Sequence, residues 1–258
     1  MAPQRKTRWV PNYHGAWAMI FIPPILGIIA GGFVWQHIIL LALWWVGYFD
    51  FFAIGLWLRS RRKPRYLLPV LTYSSICAVL GLALAFLKPA LLIWIPIFLP
   101  LIAVTFWQSA IRADRSMLND TVTVIAASLL LPVAYQLGSL DGPTDSWNQV
   151  WLHTALVFGY FLGTVFYVKT NIRQRGHQNW LAASVGWHLV WCTLATIAAW
   201  FIDDVHLSPW HVAIWIMLTI RAYLVPWWGA RHGWVSAKTL GIGEIAASAA
   251  VMATLLVS

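Results

Sequence analysis

The chain has 258 residues, of which 60% are hydrophobic, 10% are charged and 19 are tryptophan, with a mean hydropathy of +0.71. A soluble domain carries roughly 25% charged residues, so a water-soluble globule is excluded. The length holds at most about nine or ten spans of roughly 20 residues. The chain is therefore read as one membrane domain over residues 1–258.

The basic N-terminal arm, with Arg5, Lys6 and Arg8, has the charge of a signal peptide. The apolar run after it is too long, and no small-residue cleavage site follows, so it is read as a retained first span. The apolar stretches in chain order are 16–34, 38–58, 66–86, 90–107, 121–137, 150–168, 181–201, 209–225 and 239–257. None alternates as a barrel strand does. Within lipid the backbone must satisfy its own hydrogen bonds, so each run predicts a helix. Cys77 and Cys192 lie in apolar runs without CxxC spacing, which suggests neither a disulfide framework nor a zinc site.

The loops orient the helices. With the N-terminus inside, sixteen of the 17 Lys and Arg residues fall on one side, and Lys88 alone falls opposite, where Asp141, Asp145, Asp203 and Asp204 lie. The positive-inside rule then predicts nine transmembrane helices with a cytoplasmic N-terminus and the C-terminus outside. It also accounts for the net charge of +9 without nucleic acid; the basic side meets anionic membrane lipid instead. Trp9, Trp35, Trp107, Trp147, Trp180, Trp210, Trp227 and Trp228 fall at predicted interfaces, as belt residues do.

Ionisable groups inside spans are costly and are usually paired or functional. Asp50 lies about 12 Å from the inner end of the second span, and Arg221 and Glu244 about 6–8 Å from theirs; His188 is placed similarly. His14 begins the first span, Asn119 and Asp120 begin the fifth, and Asn171 and Arg173 follow the sixth. All lie toward the cytoplasm and suggest a polar chamber open on that side. Arg221 and Glu244, on consecutive helices, either neutralise each other or serve a ligand. His153 and His211 read as hydrogen-bonded structural groups. Arg62 and Arg65 flank the mouth on one side, Lys169 and Arg173 on the other. Guanidinium groups grip phosphate bidentately, which suits an amphiphile with an anionic head.

The run Pro11-Asn12-Tyr13-His14-Gly15-Ala16-Trp17-Ala18-Met19, with Pro24 and Gly27, resembles the signature of the YwiC-like family of bacterial integral membrane proteins. That resemblance implies the bacterial cytoplasmic membrane. More distantly, nine helices resemble the UbiA superfamily of intramembrane prenyltransferases. Gly47-Tyr48-Phe49-Asp50-Phe51 and the following Arg62-Lys63-Pro64-Arg65 are similar to an eroded form of its first Asp-rich motif. Thr170-Asn171-Ile172-Arg173-Gln174 is similar to the start of the second. The resemblance implies a UbiA-like bundle and an isoprenoid ligand.

In that superfamily the carboxylates hold Mg²⁺ against a diphosphate. Here Val46, Gly47, Ile54 and Gln174 stand where acids or Asn belong, and one Asp cannot hold two hydrated Mg²⁺ ions. No metal ligands and no cofactor are assigned. The leading expectation is a polar chamber that binds an isoprenoid phosphate or a quinone, in a metal-independent or inactive relative of the transferases. Arg62, Arg65, Asn119, Asp120, Lys169, Asn171, Arg173, Arg221, Glu244 and His14 would hold the head group, and Asp50 and His188 would accept a proton if a reaction occurs. The alternatives are a small-molecule transporter, favoured by prolines such as Pro96, Pro132 and Pro226 that break helices, or an accessory subunit of a respiratory membrane complex, favoured by small-residue faces such as Ala246, Ala250 and Ala253.

Overall fold

The computed structural model describes residues 9–11, 17–140 and 146–258. Among them the secondary structure is all helical. α1 spans Trp17–Gly31, α2 Gln36–Arg59, α3 Leu67–Leu87, α4 Ile95–Ala110, α5 Met117–Ser128 and α6 Leu130–Ser139. α7 spans Trp147–Ile172, α8 Gln178–Phe201, α9 Pro209–His232 and α10 Ala237–Leu256. Eight spans among the described residues are long and apolar enough to cross a bilayer, with α5 and α6 forming one of them and the shorter α1 standing apart. Each of the nine predicted runs thus contains a helix.

The helix ends follow local chemistry. Ser116, Ser146, Ser208 and Ser236 cap α5, α7, α9 and α10 by accepting backbone N–H groups of the first turn, as N-cap hydroxyls do. α5 and α6 break at Leu129 because Pro132 has no N–H for the Ser128 carbonyl, and its ring crowds that carbonyl. Pro89 opens a short 3-10 turn, Pro89–Trp94, ahead of α4.

The chain forms two compact units. Among the described residues, the amino-terminal unit holds 9–11 and 27–140, and the carboxy-terminal unit holds 17–26 and 146–258. In the amino-terminal unit, Leu40, Leu84, Leu91, Trp94, Leu130, Val133, Ala134 and Leu137 form the core. α6 packs against the end of α1 at backbone contact. A Cβ on Gly27 would collide with the Leu131 carbonyl oxygen, one on Gly31 with Tyr135 backbone, and one on Gly138 with the carbonyl oxygens of Gly31 and Gly32. His37, fully buried, ties α2 to α6: its Nδ1 accepts the Val34 N–H at 3.0 Å and its Nε2 donates to the Ala134 carbonyl at 2.9 Å.

α2 and α4 end in the same way. The N–H of Arg62 reaches the Trp57 carbonyl at 2.9 Å and that of Ala113 reaches the Gln108 carbonyl at 2.8 Å, the six-residue closure of a Schellman motif. The residues in left-handed conformation there are Arg61 (φ 60°), Arg62 (φ 58°) and Arg112 (φ 61°). Glycine is the usual occupant, and a left-handed L-residue costs about 1–2 kcal/mol. A cation near a helix C-terminus returns only about 0.3–1 kcal/mol.

In the carboxy-terminal unit, α7 is the most enclosed helix. Gly159 receives the Trp191 ring of α8, and Gly163 receives the His188 ring. Large apolar side chains elsewhere stand exposed, among them Phe86, Phe201 and Trp210. On a chain of spanning helices these surfaces face lipid. Of the predicted belt residues, Trp9, Trp35, Trp107, Trp147, Trp210, Trp227 and Trp228 are likewise exposed, and Trp180 is half-buried.

Candidate functional site

The carboxy-terminal unit carries a polar seam along one face of α7. Gln149, His153, Tyr160, Thr164, Tyr167 and Asn171 follow one another mostly at spacings of three and four residues, so they share a helical face. At its centre Arg221 of α9 pairs with Glu244 of α10, Nη1 to Oε1 at 2.8 Å, with both side chains largely enclosed. Thr164 donates its hydroxyl to Glu244 Oε2 at 2.9 Å. The Arg221 guanidinium lies 4.2 Å from the Tyr167 ring centroid, and Tyr160 shares a 2.8 Å hydrogen bond with Ser248. The neutralisation of Arg221 by Glu244, one of the two expected outcomes, is what the structure shows. The pair does not exhaust the arginine, because Nε and Nη2 are buried without a hydrogen-bond partner among the described residues. The Tyr167 ring covers the face of the guanidinium, whereas these N–H groups point out of its edge.

The helices that carry the pair run past the predicted apolar runs. α9 continues to His232, so Arg221 sits eleven residues from that end, about 16 Å. Glu244 is seven residues into α10, about 10 Å. Both helices extend past the apolar runs because polar residues such as Arg231, His232 and Lys238 still satisfy their backbone within a helix. Likewise α7 runs to Ile172, and Asn171 lies in its last turn rather than beyond it. Asn171 donates Nδ2 to the Tyr167 carbonyl at 2.9 Å, which leaves its buried Oδ1 unpartnered.

His188 is buried in α8 with Nδ1 on the Ser184 carbonyl at 2.7 Å; that bond leaves Nε2 as the acceptor nitrogen. Lys169 lies over the Trp180 ring at 5.9 Å, while Arg173 is exposed at the C-cap of α7. His211 donates to Thr254 at 2.8 Å and accepts the Trp215 indole N–H at 3.0 Å. Gln149 clasps His153 at 2.8 Å and both backbone groups of His206. Both histidines are thus hydrogen-bonded.

The other predicted residues belong to the amino-terminal unit. The Asp50 carboxylate accepts the Ser74 hydroxyl, 2.9 Å from each oxygen. Among the described residues no three His, Cys, Asp or Glu side chains are placed to hold a metal ion, and one carboxylate beside a hydroxyl does not fit a hydrated Mg²⁺. Asn119 acts in the first turn of α5: its N–H meets Ser116 Oγ at 3.0 Å and its Nδ2 donates to the Asp114 carbonyl at 2.8 Å. Asp120 follows in the same turn, with its N–H on the Ser116 carbonyl. Arg62 lies 5.7 Å over Trp57, and Arg65 lies 4.9 Å over Tyr66. His14 falls outside the described residues.

Tyr160, Thr164, Tyr167 and Ser248 are absent from the sequence-derived set. The signal for the first three was the three- and four-residue polar repeat on α7; for Ser248 it was one helical turn after Glu244.

Comparison with known proteins places this chain in a class. Residues 10–135 match the YwiC-like protein family. YwiC of Bacillus subtilis strain 168, described as uncharacterized, is 30% identical over 239 residues, which cover 92% of each chain. An uncharacterized protein of Haemophilus influenzae is 24% identical over 194 residues, 75% of this chain and 79% of its own. No solved structure matches. With its apolar spanning helices, the molecule is a multi-pass bacterial membrane protein. It belongs to the YwiC-like family.

Proposed function

We propose that the carboxy-terminal unit binds the oxygen-bearing head of an isoprenoid-type amphiphile, a quinone above all, at Arg221 and Glu244. The observation that carries this reading is the pair of buried, unpartnered N–H groups on the Arg221 guanidinium. An unsatisfied donor on a buried charge is costly, and a ligand acceptor would relieve that cost. Glu244 already balances the charge of Arg221. The site therefore suits a neutral carbonyl better than a phosphate, whose charge the carboxylate would repel. His188, in the same unit, offers an acceptor nitrogen for a proton.

The resemblance to UbiA enzymes supports an isoprenoid tail, but no transfer step follows, since the Asp50 donors do not fit the metal. Native mass spectrometry in mild detergent, with extraction of the bound adduct, tests the proposal. The expected result is a stoichiometric quinone that the paired variant Arg221→Leu/Glu244→Leu no longer retains. A protein carrying only bulk phospholipid would overturn it.

A further inference from the structure

Independently of that site, we propose that the end of the amino-terminal unit where α2 and α4 terminate binds the phosphate of an anionic phospholipid headgroup through Arg61, Arg62 and Arg112. These three are the non-glycine residues at positive φ among those described. All are exposed, and none is ion-paired among the described residues. Glycine would close both turns without strain, and Arg59 already places a cation in the last turn of α2. The positive-inside bias calls for basic residues in this loop but not for arginine at the left-handed positions Arg61 and Arg62, where a ligand for the side chains accounts for it.

The two turns are held as one platform. Arg112 Nε donates to the Arg59 carbonyl at 3.3 Å. Arg59 Nη1 meets Asp114 Oδ2 at 3.0 Å, and Ser109 Oγ donates to Asp114 Oδ1 at 2.7 Å. Both oxygens of Asp114, the single acid in the two turns, are thus engaged, and the outer arginines keep their charge. Arg62 is braced over Trp57. Guanidinium groups recognise phosphate through paired N–H donors. Leu68 and Leu71 of the adjoining α3 stand exposed where acyl chains would lie, which favours a lipid over free phosphate.

The test compares wild type with Arg61→Gly/Arg62→Gly, which leaves the Arg112 hydrogen bond to Arg59 in place, by native mass spectrometry in equimolar phosphatidylglycerol and phosphatidylcholine, and by thermal unfolding in neutral detergent. We expect the wild type to prefer phosphatidylglycerol and the variant to lose that preference about tenfold, with an unfolding midpoint no lower than wild type because the turn is relieved of strain. An unchanged preference would overturn the proposal. So would a lower midpoint in lipid-free neutral detergent, which would make the arginines structural. Stabilisation of the wild type by inorganic phosphate equal to that by phosphatidylglycerol would assign the site to soluble phosphate and overturn the lipid reading.

Discussion

Replacing Arg221 with leucine is expected to destabilise the protein by about 3 kcal/mol, while replacing both Arg221 and Glu244 with leucine restores stability to within about 1 kcal/mol of wild type. The single change leaves the Glu244 carboxylate enclosed with only the Thr164 hydroxyl as a partner. Breaking a buried ion pair from one side costs roughly 3–5 kcal/mol in soluble proteins. The lower end applies here, because helices unfolded within a bilayer or micelle can find other polar partners. Unfolding midpoints in a denaturing-detergent titration measure this directly. The paired variant separates packing from the proposed ligand binding, since it removes the structural penalty and the unpartnered guanidinium donors together. If it is stable and still retains the quinone, the pair is a packing feature only.

The second large effect concerns the approach of α1 to α6. Gly138→Ala is expected to cost about 1–3 kcal/mol or more, because the added methyl meets backbone carbonyl oxygens of Gly31 and Gly32, which have no rotamer by which to yield. Gly47→Ala in α2 is the control: nothing lies within 4 Å of its Cβ position, and alanine favours a helix by about 0.5–1 kcal/mol. The pair of variants, unfolded side by side in the same titration, should move in opposite directions. Equal midpoints would mean that the contact of Gly138 contributes nothing to stability.

The Gly27-x-x-x-Gly31 spacing that makes this approach possible is visible in the sequence, and small residues at four-residue intervals mark close helix contacts in membranes. Their spacing does not name the partner. That Gly138 of α6 lies across from Gly31 is seen only in the folded chain. His37 shows the same limit from the other side. It stands at the mouth of an apolar run like an interfacial residue, yet it is fully buried and bridges two helices.

The candidate site was legible in part. Arg221 and Glu244 stand out because charge inside a span is rare, and their partnership was one of two readings the residues allowed. The ends of the helices that carry them were not legible, because an apolar window stops at the first polar residues whereas a helix continues as long as its backbone bonds close. Asn119 shows what the sequence leaves open at the start of a span: its N–H and Nδ2 close the turn into α5, while its buried Oδ1 has no partner among the described residues.

What the sequence by itself determined is the class of molecule: an all-helical, multi-pass membrane protein of the YwiC-like family. The reason is local, because each run of about 20 apolar residues must satisfy its own backbone in lipid, and helix is the one solution open to it. Only the tertiary structure decided which polar groups meet. Whether Thr164 faces Glu244 and whether Arg221 keeps two donors unpartnered among the described residues both depend on the rotation and offset of neighbouring helices. Those quantities arise from packing between segments far apart in the chain, and no window along the sequence contains them.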